Sequence, residues 1–289
     1  EYENTVLRYH FQMDEHHFYH TWTFPFNIPE NCNRELVDIC AFSLGMAELV
    51  SYWKCACCPT VKVLCGSLSD WQKDWWKKLY HNGLGEFFYR NGITADRDSF
   101  MSIIADNAQP QTICGTAGSG ILVPVGGGKD SVVSLELLKK HGSDIYPYII
   151  NPRGATLGCV EAAGIPPEKT VGVRRTIDKT LLELNKLGYL NGHTPFSAVV
   201  AFSAELFAAI KGLRYIALSN ESSANEAYVD GTDINHQYSK STQFERDFRE
   251  YCQNSFGGFS CCPEYFSLLR PWSEWQIARE FVKHPQYFG

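Results

Sequence analysis

Ile121-Leu122-Val123-Pro124-Val125 runs directly into Gly126-Gly127-Gly128-Lys129-Asp130-Ser131 and then into Val132-Val133-Ser134-Leu135-Glu136-Leu137-Leu138-Lys139-Lys140. The apolar run predicts a buried strand, and the three glycines predict a tight turn. The apolar residues after the turn crowd one face of a helix, and Gly142 is a typical stop signal for that helix. Strand, turn and helix in this order indicate an α/β fold.

The glycine turn, residues 126–131, predicts a phosphate site. Its glycines carry no Cβ, so backbone N–H groups can approach an anion closely, and the positive end of the following helix points at the same place. Lys129 adds a cation and Ser131 a hydroxyl, while Asp130 fits either a helix cap or a contact to Mg²⁺. The alternative is a turn that binds nothing. We assign the phosphate contacts to Gly126, Gly127, Gly128, Lys129, Asp130 and Ser131.

The spacing of the turn excludes two common phosphate loops. The kinase and GTPase loop needs Gly-x-x-x-x-Gly-Lys-Ser/Thr, and the dinucleotide fingerprint needs an acidic residue after the second strand. The turn resembles instead the Ser-Gly-Gly-x-Asp-Ser loop of the ATP pyrophosphatases, with Val125 or Gly126 in place of the leading serine. This resemblance implies a parallel sheet of the adenine-nucleotide α-hydrolase (PP-loop) type. It also implies a loop that holds pyrophosphate while ATP is split into AMP and PPi.

The composition is ordinary for a soluble protein, with 289 residues, 44% of them hydrophobic, and a formal net charge of −6. The acidic balance argues against a nucleic-acid partner, because phosphate backbones attract basic surfaces. No uninterrupted apolar run approaches the ~18 residues that a transmembrane helix needs, so we expect no membrane partner.

The chain has eleven cysteines, an odd number that predicts free thiols in a reducing, cytoplasmic location. Cys55, Cys57, Cys58 and Cys65 lack the paired Cys-x-x-Cys spacing that is typical of zinc sites. We therefore expect buried free thiols, with a zinc site as the alternative.

Two segments of the chain differ in pattern. Residues 1–110 predict a smaller α+β N-terminal domain, with aromatic, roughly alternating strands first and a helix from Asn33 to Tyr52. Residues 111–289 alternate between strand and helix, which indicates a parallel sheet. We expect strands near 121–125, 145–150, 169–175 and 214–218, and helices near 131–141, 156–163, 178–187 and 196–211.

Polar residues follow two of these strands. Asn151 ends the second strand, and Asn220 and Glu221 follow the fourth. Ligands of open α/β sheets bind beyond the carboxyl ends of the strands, so we expect these side chains to face the glycine turn. A solvated helix cap is the alternative for residues 219–226.

Four further stretches indicate a more specific family. They are Gly83-Leu84-Gly85-Glu86-Phe87-Phe88-Tyr89-Arg90-Asn91-Gly92, Leu184-Asn185-Lys186-Leu187-Gly188-Tyr189-Leu190-Asn191-Gly192-His193-Thr194-Pro195, Asn235-His236-Gln237-Tyr238-Ser239-Lys240-Ser241 and Tyr265-Phe266-Ser267-Leu268-Leu269-Arg270-Pro271-Trp272-Ser273-Glu274. With the glycine turn, they resemble the ATP-dependent epimerases of bacterial cell-wall synthesis. That family inverts the terminal glutamate of UDP-N-acetylmuramoyl-L-alanyl-L-glutamate to the D form.

The resemblance runs from about Ser51-Tyr52-Trp53-Lys54 to Phe288, nearly the whole chain. It departs at Cys55-Ala56-Cys57-Cys58, where the family has an alanine-rich stretch. It departs again at the C-terminus, where family members usually continue into a cysteine-containing segment.

The resemblance implies an isomerase that uses ATP and Mg²⁺ to act on the UDP-muramoyl dipeptide. A hydrogen next to a carboxylate is very weakly acidic, because its removal puts a second negative charge beside the first. Converting the carboxylate to an acyl-adenylate removes that charge, so a modest base can take the proton. PPi leaves when the acyl-adenylate forms. Return of a proton from the opposite face inverts the centre, and hydrolysis then releases AMP and the epimerised peptide.

Five polar residues are candidates for this chemistry. Lys240 and Arg270 would neutralise the departing pyrophosphate or the adenylated carboxylate, with an ordinary surface salt bridge as the alternative. His193 and His236 would serve as a base or a phosphate ligand, or as structural histidines. Glu221 is a candidate for Mg²⁺ or for the α-proton. Nothing in the spacing selects the epimerising base.

Two other functions are compatible with the same loop. A ligase or thiolase would use the adenylate on another carboxylate or nucleobase. A nucleotide-sensing module would bind ATP without splitting it.

Overall fold

The computed structural model describes residues 2–3, 5–108, 118–225, 238–256 and 262–288. Its strands are β1 (Tyr2–Glu3), β2 (Val6–Met13), β3 (His16–Thr23), β4 (Thr60–Ser67), β5 (Ser102–Asp106), β6 (Ile121–Pro124), β7 (Ile145–Ile150), β8 (Val171–Thr176), β9 (Tyr215–Leu218) and β10 (Glu264–Ser267). Its helices are α1 (Arg34–Trp53), α2 (Asp70–Gly83), α3 (Gly85–Arg90), α4 (Lys129–Lys140), α5 (Gly154–Ala162), α6 (Lys179–Lys186), α7 (Phe196–Lys211), α8 (Thr242–Ser255) and α9 (Glu274–Phe281). The strands and helices expected between residues 121 and 218 are confirmed, with small shifts in their bounds.

Eight strands form one sheet in the order β1-β2-β3-β8-β7-β6-β9-β10. The five strands from β8 to β10 are parallel, whereas β1, β2 and β3 pair antiparallel and β3 joins β8 antiparallel. Parallel neighbours end at the same edge of a sheet, so the glycine turn after β6 shares an edge with the residues after β7, β8 and β9. The expected α/β fold with a mostly parallel sheet is confirmed, and its PP-loop type stays a prediction.

Apolar cores cover both faces of the parallel strands. On one face, the sheet packs against α1, α7 and α8 through a cluster that includes the fully buried Trp22, Phe202 and Phe207. On the other face, α4 and α5 pack through Leu135 and Val160. Helices on both faces are what buried parallel strands require.

The N-terminal segment belongs to the same sheet as the rest of the chain. Thr21, Trp22 and Thr23 pair with residues 174–176 of β8, and α1 packs along α7. The two segments therefore share one sheet and one core, and the division at residue 110 stays a prediction.

Helix α1 is a core helix. Within the described ranges, it is the one helix whose length and composition would suit a membrane span, and most of it is buried inside the protein. The Asn33 side chain caps it by accepting a hydrogen bond from the backbone N–H of Leu36 at 3.1 Å, as the sequence predicts. Its Glu48 is fully buried and forms an ion pair with Arg175. Such a charged contact is typical of a helix packed inside the protein rather than of an apolar membrane span.

The cysteine cluster has mixed exposure. Cys55 is buried, Cys57 and Cys58 are half-buried, and Cys65 is exposed, all as free thiols. The expectation of buried thiols is therefore right for Cys55 and wrong for Cys65, which lies on β4 of the separate two-stranded sheet formed by β4 and β5.

Candidate functional site

The glycine turn lies where β6 ends and α4 begins. Val125 extends the strand by donating its backbone N–H to the Tyr148 carbonyl at 2.8 Å, and Gly126 donates its N–H to Ser131 Oγ at 3.0 Å. Gly128 caps α4 without a side-chain hydrogen bond, and the helix begins at Lys129. Asp130 is therefore not the helix cap; it lies in the first turn of α4.

The fold requires glycine at one of the three glycine positions of the turn and not at the other two. Gly127 has φ +83°, and a Cβ there would lie 3.0 Å from the carbonyl carbon of Ala155, so the fold itself requires glycine. At Gly126 a Cβ would come no closer than 3.9 Å to any group, and at Gly128 nothing lies within 4 Å. Packing does not require those two glycines, so their open side is available to a ligand.

Two helix N-termini meet at this turn, and a third helix contacts its lysine through a side chain. Helix α4 starts from it, and the first turn of α5 lies against Gly127 at Ala155 and Thr156. Helix α9 begins at Glu274, whose carboxylate contacts Lys129 Nζ at 2.8 Å. Each helix N-terminus carries a partial positive charge and free N–H groups, and the meeting of α4 and α5 here favours an anion.

Carboxylates surround the cation of the turn. Lys129 Nζ pairs with Asp130 Oδ1 at 3.0 Å as well as with Glu274. These contacts raise the pKa of Lys129, although partial burial opposes the shift. The Lys129 contact lowers the pKa of Glu274, while burial and then the neighbouring Glu274 raise the pKa of Glu221. Lys129, Asp130, Glu221 and Glu274 thus form one charged cluster at the carboxyl edge.

Arg270 holds the far side of this cluster together. Its guanidinium donates to the backbone carbonyls of Glu221 at 2.9 Å and Lys240 at 2.7 Å, and to Glu245 Oε2 and Ser267 Oγ at 3.1 Å each. The side chain is 18% exposed, so its charge is mostly committed to neighbouring segments. It fixes the positions of residues 221 and 240 relative to the end of β10.

The polar residues after β9 also lie at this edge. Asn220 donates to Ser267 Oγ at 3.2 Å, and Ser219 contacts Ser134 of α4 through their hydroxyls at 2.8 Å. Glu221 accepts from Ser223 Oγ at 2.7 Å. The end of β9 therefore lies beside α4 through Ser219, and Glu221 lies near Asp130 of the glycine turn; the roles of Asn220 and Glu221 in binding stay predictions.

Asn151 points away from the glycine turn. Its backbone is left-handed, with φ 53°, and its Oδ1 accepts the backbone N–H of Arg175 at 2.8 Å. It is Ala155, at the start of α5, that approaches Gly127. Asn151 thus joins the ends of β7 and β8, and its role in nucleotide binding stays a prediction.

A buried ionic cluster lies beyond Asn151. Arg175 makes two bonds to Glu48, at 2.7 and 2.5 Å, and Glu48 also contacts His20 at 3.1 Å and Trp22 at 3.0 Å. Burial alone would raise the pKa of Glu48, but the bonds from Arg175 and His20 lower it to about 2. This cluster locks α1 to β3 and β8.

Lys54 and the loop of residues 191–194 form a further polar group. Lys54, which follows α1, is 6% exposed and donates to the Gly192 carbonyl and to Thr194 Oγ1, the latter at 2.7 Å. Burial, assisted by the charge of Arg175, lowers the pKa of Lys54 to about 8. The loop carries His193, which is half-buried, and it leads into α7.

Of the two remaining candidates, Lys240 is among the described residues and His236 is not. Lys240 is exposed, and its backbone carbonyl accepts from Arg270. His236 lies outside the described residues. Within the described ranges, no group of three His, Cys, Asp or Glu side chains is arranged to hold a metal ion without further ligands.

Three features of the site were missed from the sequence. Glu274 is the last residue of the family stretch 265–274, but its contact with Lys129 depends on how α9 packs on α4. The burial of Lys54 and the pairing of Glu48 with Arg175 depend on how α1 lies across the sheet. The capping signal Ser273-Glu274-Trp275-Gln276 predicts the start of α9 and was the one local sign available.

Fold and site together define an α/β protein with a glycine turn and a charged cluster at the carboxyl edge of its parallel strands. A family model described as the MurL N-terminal domain matches residues 1–268. The chain therefore belongs to the MurL N-terminal domain family.

Three curated relatives bear the same name, UDP-N-acetyl-alpha-D-muramoyl-L-alanyl-L-glutamate epimerase. The chain is 35% identical over 240 residues to the one from Xanthomonas oryzae pv. oryzae, which covers 82% of this chain and 52% of the relative. It is 36% identical over 236 residues to that of Salinispora tropica, covering 81% and 50%. It is 35% identical over 240 residues to that of a Micromonospora species, covering 82% and 52%. The resemblance to this epimerase family is confirmed, and the chain spans about half the length of these relatives.

Proposed function

We propose that this chain takes part in the ATP-dependent epimerisation of UDP-N-acetylmuramoyl-L-alanyl-L-glutamate during peptidoglycan synthesis. The observation that carries the proposal is the meeting of the α4 and α5 N-termini and of Lys129 at the glycine turn. The names of its relatives supply the substrate and the reaction.

The turn fits the phosphates of ATP. The open space at Gly126 and Gly128 leaves room for phosphate oxygens against the backbone, and the helix N-termini complement their charge. Lys129 is already held by two carboxylates, so a phosphate would replace one anionic partner with another. Ser131 Oγ accepts from Gly126 N–H and keeps its own hydroxyl proton to donate.

Mg²⁺ fits beside these phosphates. Protein sites usually hold Mg²⁺ through one or two carboxylates, with phosphates and waters as the other ligands. Asp130 and Glu221 are the carboxylates that would supply this contact, and Glu274 is their neighbour. When bound, the ion offsets negative charge on the transferring group.

ATP would serve the epimerisation by activating a carboxylate. As an acyl-adenylate, the carboxyl group no longer repels the charge that develops when the α-proton leaves. Arg270 would act through position, because it holds the backbone at Glu221 and Lys240. Lys240 has an exposed side chain and would meet the pyrophosphate directly. The setting of such precursor synthesis is the cytoplasm, which agrees with the free thiols expected from the sequence.

The proposal is tested by incubating the protein with ATP, Mg²⁺ and the UDP-muramoyl dipeptide in D₂O. We expect deuterium at the glutamate α-carbon together with AMP. AMP without deuterium would instead indicate a ligase or thiolase, and ATP binding without AMP would indicate a nucleotide sensor.

Two variants test the site within the same assay. Asp130→Ala and Lys240→Ala should each reduce AMP release by about 100-fold or more, because Asp130 would hold the Mg²⁺ that offsets phosphate charge and Lys240 would offset that charge directly. Lys62→Ala, an exposed lysine on β4, is the matched control and should release AMP at the normal rate. Normal AMP release by both site variants would contradict the assignment.

A further inference from the structure

Lys54 carries a buried charge that the described part of the protein does not balance. Its ammonium donates to two neutral acceptors, Gly192 O and Thr194 Oγ1. The charged or titratable groups that act on it are a thiol, Cys55, and another cation, Arg175. An ammonium has three N–H donors, so one donor remains for a further acceptor.

Glu48, the partner of the neighbouring Arg175, is not available to pair with Lys54 as well. Both carboxylate oxygens of Glu48 are bonded to the Arg175 guanidinium, and one of them also meets His20 and Trp22. Buried charges in proteins are normally paired, because the loss of hydration is costly. Among the described residues, Lys54 is thus a buried ammonium with neutral acceptors beside a matched ion pair, which makes it a candidate site for an anionic ligand.

The position of Lys54 relates this site to the glycine turn. Arg175 is the next-to-last residue of β8, which is two strands away from β6, and neighbouring strands are roughly 4.8 Å apart. The Arg175 guanidinium also lies 5.7 Å from the ring of Phe196, the exposed first residue of α7. Residues 191–194 come just before Phe196 in the chain, so the Lys54 loop lies near the edge of the sheet that carries the glycine turn.

We propose that Lys54 and residues 191–194 bind the side-chain carboxylate of the terminal glutamate of the peptide substrate. This inference rests on the proposed function. A terminal glutamate has two carboxylates, and activation of the one beside the stereocentre leaves the other ionised. That remaining anion needs a cation of its own, separate from those that meet the ATP phosphates.

The test is a binding cycle between the protein and the substrate. Calorimetry measures the affinity of the chain for the UDP-muramoyl-L-alanyl-L-glutamate ligand and for its glutamine analogue, which replaces the side-chain carboxylate with a neutral amide. The wild-type chain should prefer glutamate by at least about 10-fold, the scale of a charge-assisted contact. Lys54→Gln, which keeps hydrogen-bond donors for Gly192 and Thr194, should bind both ligands with equal affinity.

Two further variants serve as controls. Lys54→Arg keeps the charge and should keep part of the preference for glutamate. Lys62→Met removes an exposed lysine of β4 and should keep all of it. Thermal unfolding of each variant separates loss of the ligand contact from loss of the fold. If Lys54→Gln does not fold, the wild-type preference between glutamate and glutamine still tests whether the carboxylate is recognised.

Other outcomes overturn the inference. If Lys54→Gln still prefers glutamate, the carboxylate binds elsewhere. If it weakens both ligands equally, Lys54 meets a group that they share, such as the diphosphate. If the wild type does not discriminate between them, there is no carboxylate site. ATP binding is measured separately in the same calorimeter, so failure of the proposed nucleotide site is recognised independently.

Discussion

Two charged regions on the same edge of the sheet differ in how firmly their charges are fixed. At the glycine turn, the side chains of Lys129 and Glu274 are 32% and 60% exposed. In the ionic cluster after β8, the side chains of Arg175 and Glu48 are 10% and 0% exposed, and they share two hydrogen bonds. Exposed pairs exchange partners at little cost, whereas buried pairs do not. The first region is thus suited to accept a ligand, and the second to hold the elements that frame it.

The largest expected effect breaks the buried cluster. Glu48→Gln leaves the Arg175 charge buried without its carboxylate, so the free energy of unfolding should fall by about 3–5 kcal/mol. Glu274→Gln, at the exposed pair, should cost less than about 1 kcal/mol. Urea unfolding of both variants measures the difference, and equal losses would contradict the comparison.

The Glu48→Gln variant should also change how the stability of the protein depends on pH. The pKa of Glu48 is lowered from 4.5 to about 2 in the folded protein. Its stabilising contribution is therefore complete above pH 4.5 and is lost as the pH falls through that interval towards 2. The Glu48→Gln variant should lack this part of the acid-induced loss of stability.

A smaller effect separates two glycines of the turn. Gly127→Ala should reduce stability by about 1–3 kcal/mol, because of the positive φ and the close approach of Ala155. Gly128→Ala meets open space at an ordinary φ of −100°, so stability should change by less than about 1 kcal/mol. Calorimetry should nevertheless show weaker ATP binding to Gly128→Ala, by about 10-fold. Unchanged ATP binding would mean that phosphate does not approach that side of the turn.

The smallest effect concerns competition for Lys129. Glu274→Gln removes the carboxylate that contacts Lys129 at 2.8 Å, so ATP should bind a few-fold more tightly, and high salt should narrow the difference. Titrations with and without Mg²⁺ test this. If ATP instead binds more weakly to Glu274→Gln, and only when Mg²⁺ is present, Glu274 contacts the ion.

Local sequence was sufficient for four of the five strands of the parallel sheet, whereas β10 was not predicted. The spacing of apolar residues and the positions of glycines predicted the strand, turn and helix of residues 121–140, because such elements are determined by residues that are close in the sequence. The roles of Lys54 and Glu274 were not predictable in this way. Lys54 becomes buried because the loop of residues 191–194 closes on it, and Glu274 meets Lys129 because α9 packs on α4. Contacts between residues distant in the chain leave no periodic trace in the sequence.

The attachment of β3 to β8 also affects how the chain assembles. Thr21 and Thr176 are partners roughly 150 residues apart, a separation that makes such contacts slow to form. During synthesis at about 5–20 residues per second, the first hairpin must wait many seconds before its neighbour leaves the ribosome. Until then, the backbone groups of its inner edge remain open to pairing with other strands, so the exposure of this edge is longest early in translation.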